Sequence, residues 1–206
     1  MQLPDPPLLV ISDRRQARRP LVEIAAAALR AGCRWFSLRE KDLPGTERRE
    51  LLAALVALGH DFGATVMVHE DVAAAVAAGA GGVHLPGGGD PQAARALLPA
   101  GLVGASAHSP AEAAAQLKAG ADYVTLSPIF LSASKPDYGP AVGLAALSET
   151  ARLAPGPVVA LGGISEANLA ACLAAGAKGI AVMGEVMRAA DPEATVRRLL
   201  AVCDWK

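Results

Sequence analysis

Four stretches of the sequence share one plan: AGCRWFSL from Ala31, AGAGGVHL from Ala78, AGADYVTL from Ala119 and AGAKGIAV from Ala175. Each reads as a helix end, a glycine that turns the chain, and a short apolar strand. Between these copies lie the apolar runs LLVIS (from Leu8), Ala64 to Val68, Leu102 to Ser106 and VVALGG (from Val158), which read as the intervening strands. The result is eight strands alternating with helices. Such a chain is expected to close as a (β/α)8 TIM barrel, because every second strand offers equivalent inward positions and needs an equivalent tight turn. An open doubly wound sheet is the alternative, but it needs a topological switch point that is not evident and leaves the recurring turn unexplained. At 206 residues, one compact domain over 1–206 is expected.

Composition excludes several partner classes. The formal net charge is −1 and aromatics make up 3% of the chain, so neither a nucleic-acid footprint nor a patch for anionic membranes is expected. No apolar run is long enough to span a bilayer, and Asp5 with three prolines stands where a secretory signal would need a basic start. A cytoplasmic protein acting on a small ligand is the expectation. Cys33, Cys172 and Cys203 are odd in number and lack metal spacing, so they are read as reduced thiols without chemistry.

In a barrel the C-terminal ends of the strands share one rim, however distant they are in sequence. At the second exit, Arg39 and Lys41 flank Glu40, a spacing that turns two cations to the same side, although a solvated loop would carry the same charges. His69, Glu70 and Asp71 follow the third strand. Pro86 to Gly89 follow the fourth, before a helix opened by Asp90 and Pro91. His108 stands at the fifth exit, where an imidazole can act as general acid or base. His84 belongs to the fourth strand itself and is read as inward-facing or packed. The sixth exit opens a long connection, SPIFLSASKPDYGPAVG, whose Ser132, Ser134 and Lys135 offer hydroxyls and a cation; long loops of this kind are commonly lids or binding loops.

The last two exits carry glycines. Gly162 and Gly163 precede Ser165, the expected cap of a helix starting near Glu166, and Gly184 follows the eighth strand. One such pair signals only a tight turn. Two glycine turns at consecutive strand ends, where barrels commonly bind phosphate through backbone amides, point to a phosphate cup. His69, Glu70, Asp71 and Asp90 show no characteristic metal-ligand spacing.

LREKD from Leu38, GGVHLP from Gly81, GASAHS from Gly104, ADYVTLSPIFLSASK from Ala121, and VVALGGI with GIAVM together resemble the family of thiamin phosphate synthases and TenI-type thiazole tautomerases, which are small TIM barrels. The resemblance spans nearly the whole chain in family order. It implies a thiazole phosphate held by Gly162, Gly163, Met183 and Gly184, with Arg39, Lys41 and Lys135 as pyrophosphate-binding cations, while His69 stands on the rim as a candidate substrate-binding residue. Ser132 and Ser134 stand where the family has threonines. The chain departs from the synthase pattern in three places: Ser37 replaces a Gln, His69 and Glu70 replace an Asn-Asp pair, and Pro86 to Gly89 replaces a Gly-Gln-Glu-Asp turn. These departures favour a thiazole tautomerase with His108 as proton carrier and no metal or organic cofactor. The alternative is a synthase using magnesium held by Glu70 and Asp90, and a third reading is a silent thiazole-phosphate-binding protein. The expected partner is a small phosphorylated thiazole, and a homodimer is allowed.

Overall fold

The computed structural model describes residues 2–131, 140–202 and 205. Eight strands run in the order β1 (Leu8–Ile11), β2 (Trp35–Leu38), β3 (Thr65–His69), β4 (Gly82–Leu85), β5 (Leu102–Ala107), β6 (Tyr123–Leu126), β7 (Val158–Leu161) and β8 (Gly179–Val182). All pair in parallel, and β8 returns to β1 through the Leu9↔Ala181 register, so the sheet closes into a barrel. The helices are α1 (Leu21–Arg30), α2 (Gly45–Asp61), α3 (Val72–Ala78), α4 (Pro91–Leu97), α5 (Pro110–Lys118), α6 (Gly143–Leu153), α7 (Leu169–Ala174), α8 (Gly184–Met187) and α9 (Pro192–Ala201). This is the (β/α)8 barrel expected from the repeat.

Alternation along the strands separates two cores. Leu9, Ile11, Trp35, Met67, Tyr123, Val159 and Ala181 fill the barrel interior, whereas Leu8, Val10, Phe36, Val68 and Val124 turn outward against the helices. The Trp35 and Tyr123 rings meet edge to face with centroids 4.9 Å apart. A side chain at Gly104 would collide with the Tyr123 ring, so a small residue on β5 lets one large aromatic cross the interior. The recurring αβ turn also has its physical cause. Gly32, Gly79, Gly120 and Gly176 all take positive φ, between 62° and 110°, a region that other residues occupy only at a cost.

Side-chain caps fix the starts of several helices at the rim. Asp71 accepts from Ala74 N, Ser109 from Glu112 N and Asp191 from Ala194 N. One expected start is displaced: α7 begins at Leu169 rather than near Glu166. Asn168 Oδ1 accepts from Ser165 N at 2.9 Å and its Nδ2 donates to Gly163 O at 3.0 Å, so the asparagine ties up the expected cap and holds 165–168 in a turn. Among the described residues no helix is long and apolar enough to cross a membrane.

Candidate active site

The exits of the strands converge on a cavity of about 410 Å³, a size suited to a small ligand. Arg39, Lys41, His69, Glu70 and His108 line one part of it; Gly162, Gly163, Met183 and Gly184 line another. Five stretches of the chain that are far apart in sequence are therefore one place in space.

The two β2-exit cations owe their direction to the residue between them. Glu40 is 3% exposed, and its carboxylate accepts from Ser12 Oγ at 2.6 Å and from Arg14 N at 3.1 Å. The same Ser12 Oγ accepts from Arg39 N at 2.8 Å, so the β1 and β2 exits are stitched together. Burial pushes the Glu40 carboxyl above its ordinary value, and the donors from Ser12 and Arg14 oppose that rise. With Glu40 directed into the protein, alternation sends Arg39 and Lys41 to the cavity.

Glu70 reaches the rim by an unusual backbone. It is the one non-glycine residue with positive φ among those described, at 67°, a conformation costing on the order of 1 kcal/mol or more. Its N–H donates to His84 O at 3.0 Å, and its carboxylate pairs with the Lys41 ammonium. That pair leaves Lys41 partly compensated, whereas Arg39 has no carboxylate within ion-pair distance among the described residues.

The floor of the cavity is a polar array that sequence reasoning did not assemble. The His69 and His84 rings lie 4.7 Å apart. Burial, reinforced by Arg39 and Lys41, lowers the His84 imidazole to about 3, and burial with the neighbouring His84, Arg39 and Lys41 lowers His69 well below its ordinary value. Both rings are neutral near pH 7. His84 Nδ1 is 3.0 Å from Tyr123 Oη, and its Nε2 is 3.0 Å from Ser106 Oγ. The phenol's other contact is Met67 Sδ at 3.7 Å, a weak acceptor, so the phenol donates to Nδ1 and Nε2–H donates to Ser106. Ser106 then keeps its own hydrogen for the cavity. His69 Nε2 is buried with no partner, an atom that a bound ligand would satisfy.

His108 also lines the cavity. Its Nδ1 lies 2.9 Å from Ser127 O, and since a carbonyl only accepts, Nδ1 carries the hydrogen and the lone pair of the neutral ring is at Nε2. Glu112 Oε2 accepts from His108 N at 2.9 Å and fixes the backbone beneath it.

The glycine turns are dictated by space as well as conformation. Gly162 and Gly163 have φ of 101° and 63°; a Cβ would lie 2.7 Å from Pro128 Cα at the first and 2.6 Å from Leu131 O at the second. Only glycine fits either place, and the bare backbone faces the cavity. Gly184 opens α8 with Met183 as its cap residue. Arg188, unforeseen from the sequence, lies across Gly184.

The magnesium site drawn from Glu70 and Asp90 is not assembled. Asp90 lies outside the cavity, where its Oδ1 accepts from Gln92 N and Ala93 N at 3.0 Å and caps α4. Three residues, Gly87 to Gly89, intervene after Pro86, and this extra length turns the carboxylate to the helix start. Glu70 is left as a single carboxylate already paired with Lys41, and among the described residues no group of three or more His, Cys, Asp or Glu could hold a metal ion. Ser132, Ser134 and Lys135 lie outside the described residues.

The family model described as "Thiamine monophosphate synthase" matches residues 8–186. The chain belongs to the thiamine monophosphate synthase and TenI family. Family members are enzymes of thiamin biosynthesis, and the resemblance drawn from the five sequence stretches is thereby established. A putative thiamine-phosphate synthase of Geobacter sulfurreducens is 44% identical to this family member, over 95% of the chain and 93% of the relative. A thiamine-phosphate synthase of Roseiflexus sp. is 41% identical, over 94% and 83%. Among solved structures, thiamine phosphate pyrophosphorylase from Pyrococcus furiosus superimposes with a TM-score of 0.86 at 33% identity, covering 95% of this chain and 94% of that one.

Proposed function

We propose that this family member is a thiamin phosphate synthase, joining a hydroxymethylpyrimidine diphosphate to a thiazole phosphate with release of pyrophosphate. The observation that carries this reading is that one cavity holds two separate stations for anions. Arg39 and Lys41 form one at the β2 exit, and the Gly162, Gly163, Met183 and Gly184 backbone forms the other at the β7 and β8 exits. Coupling two phosphorylated substrates needs two such stations. The relatives named as synthases support the same choice over the isomerisation put first by the sequence.

In this reaction the thiazole nitrogen donates its electron pair to the methylene carbon attached to the pyrimidine. A C–N bond forms, the C–O bond to the diphosphate breaks, and pyrophosphate leaves with that electron pair. The thiazole becomes a cationic thiazolium. Arg39 and Lys41 bind the diphosphate and stabilise the negative charge that grows on the departing oxygen. The glycine cup holds the thiazole phosphate so that the ring nitrogen faces the carbon, removing the entropy of bringing two solutes together. Ser106 O–H and His69 Nε2 offer a donor and a ring nitrogen to the heterocycles. The residues present do not form the two-carboxylate metal pair, and no step is assigned to a metal.

A second reading, thiazole tautomerase, is favoured by one feature: His108 faces the cavity with its ring fixed through Nδ1. An imidazole so held can take a proton from one ring position and return it to another. Purified protein given both diphosphate and thiazole phosphate separates the two. Coupled product with pyrophosphate supports the synthase; isomerisation of a thiazole carboxylate phosphate without coupling supports the tautomerase.

A further inference from the structure

Arg188 follows α8 directly, four residues after Gly184. Helical side chains lean toward the N-terminus, so a residue at this spacing reaches back over the helix start. The Arg188 guanidinium does so: a Cβ on Gly184 would collide with its Nη1, Cζ and Nη2. The guanidinium therefore rests directly on the bare Gly184 backbone. Arg188 and Gly184 line the same cavity as Gly162, Gly163 and Met183.

The contact that aims Arg188 is neutral. Its Nη1 donates to Gln16 Oε1, and Gln16 Nε2 donates in turn to Asp13 Oδ2 at 2.5 Å and faces Met183 Sδ at 3.7 Å. The loop after β1 thus steers a side chain at the β8 exit. Arg14, Arg48, Arg95 and Arg198 each have a carboxylate partner, but among the described residues none lies within ion-pair distance of Arg188. An amide fixes direction without cancelling charge.

We propose that Arg188 is a phosphate-binding residue, which adds a guanidinium fork to the backbone cup at the β7 and β8 exits, and that Gln16 is its positioning residue. A guanidinium offers paired N–H donors that match two oxygens of a phosphate. The proposal rests on reading this part of the cavity as the station for a phosphate monoester.

The test is calorimetry on the full chain with thiazole phosphate, its dephosphorylated alcohol and inorganic phosphate as separate probes. Arg188→Gln is expected to weaken both phosphate-bearing probes by roughly 10- to 100-fold, the range for hydrogen bonds to a charged group. Binding of the alcohol should be unchanged, and Arg188→Lys should recover part of the loss as a point charge without the fork. Gln16→Glu separates charge from packing. It keeps the contact to Arg188 but neutralises it, and is expected to weaken phosphate binding more than Gln16→Ala. Unchanged phosphate affinity in Arg188→Gln overturns the proposal, as does an equal loss for the alcohol. If the wild type binds inorganic phosphate but not the thiazole ester, the synthase reading fails while the inorganic phosphate series still decides Arg188. Failure of the wild type to bind any phosphate overturns both.

Discussion

The two anion stations proposed for the cavity are made of different material. At the β7 and β8 exits the cup is backbone: Gly162 and Gly163 sit where a Cβ would strike Pro128 and Leu131, and the glycines themselves specify the shape. At the β2, β3 and β4 exits the charges are on side chains, and their directions depend on neighbours. Glu40 must be buried against Ser12 for Arg39 and Lys41 to face the cavity, and Glu70 needs a left-handed backbone to reach Lys41. A site built from backbone tolerates little substitution but can be read from its glycines. One built from side chains can change ligands by a small shift in loop length, as Asp90 shows.

The most severe break in this contrast is Gly184→Asp. It places a carboxylate in the cup and displaces the Arg188 guanidinium that rests there, so calorimetry should find thiazole phosphate binding abolished while the fold persists, as read by circular dichroism. Retained binding would mean that the cup lies elsewhere. Arg39→Gln acts on the other station. Steady-state kinetics should show the KM for the diphosphate raised by roughly 10- to 100-fold, with the affinity for thiazole phosphate left alone. Equal effects on both substrates would show that the stations are not separate.

The legibility of the chain follows the same division. The four Ala-Gly turns announced the alternating units and hence closure, because positive φ is a backbone demand that the sequence must meet with glycine. Burial of Cys33 and Cys172 agrees with their reading as inert thiols. Asp90 enters a metal site only through family order, whereas its Oδ1 accepts from the first N–H groups of α4. Arg188 was missed because its only signal is a spacing of four from Gly184, which carries meaning once α8 is known to begin there. The contact of the His69 and His84 rings is equally hidden, since it joins the end of β3 to β4 through strand pairing.

The neutral floor sharpens the comparison in acid. His84 is held at about 3 in the folded protein against an ordinary 6.5, so between these values the unfolded chain takes up a proton that the folded chain refuses. The stabilisation is present above pH 6.5 and is lost as pH falls toward 3, at about 1.4 kcal/mol per pH unit for one such group. Urea unfolding across that window should show a shallower acid loss in His84→Gln. Parallel curves for the two proteins would contradict the buried neutral imidazole.

The smallest effect is expected from Asp90→Ala. Loss of the α4 cap should cost about 1 kcal/mol of stability, measured by thermal unfolding, with the response of turnover to magnesium unchanged. A magnesium response that shifts with this variant would return Asp90 to the rim.

The central claim is that two phosphorylated substrates meet in one cavity and are joined. The direct measurement is phosphorus NMR of the purified protein with hydroxymethylpyrimidine diphosphate and thiazole phosphate, in buffers with and without magnesium. The account predicts pyrophosphate and thiamin phosphate appearing in equal amounts. Neither product in either buffer, together with conversion of a thiazole carboxylate phosphate to its aromatic isomer, would contradict it.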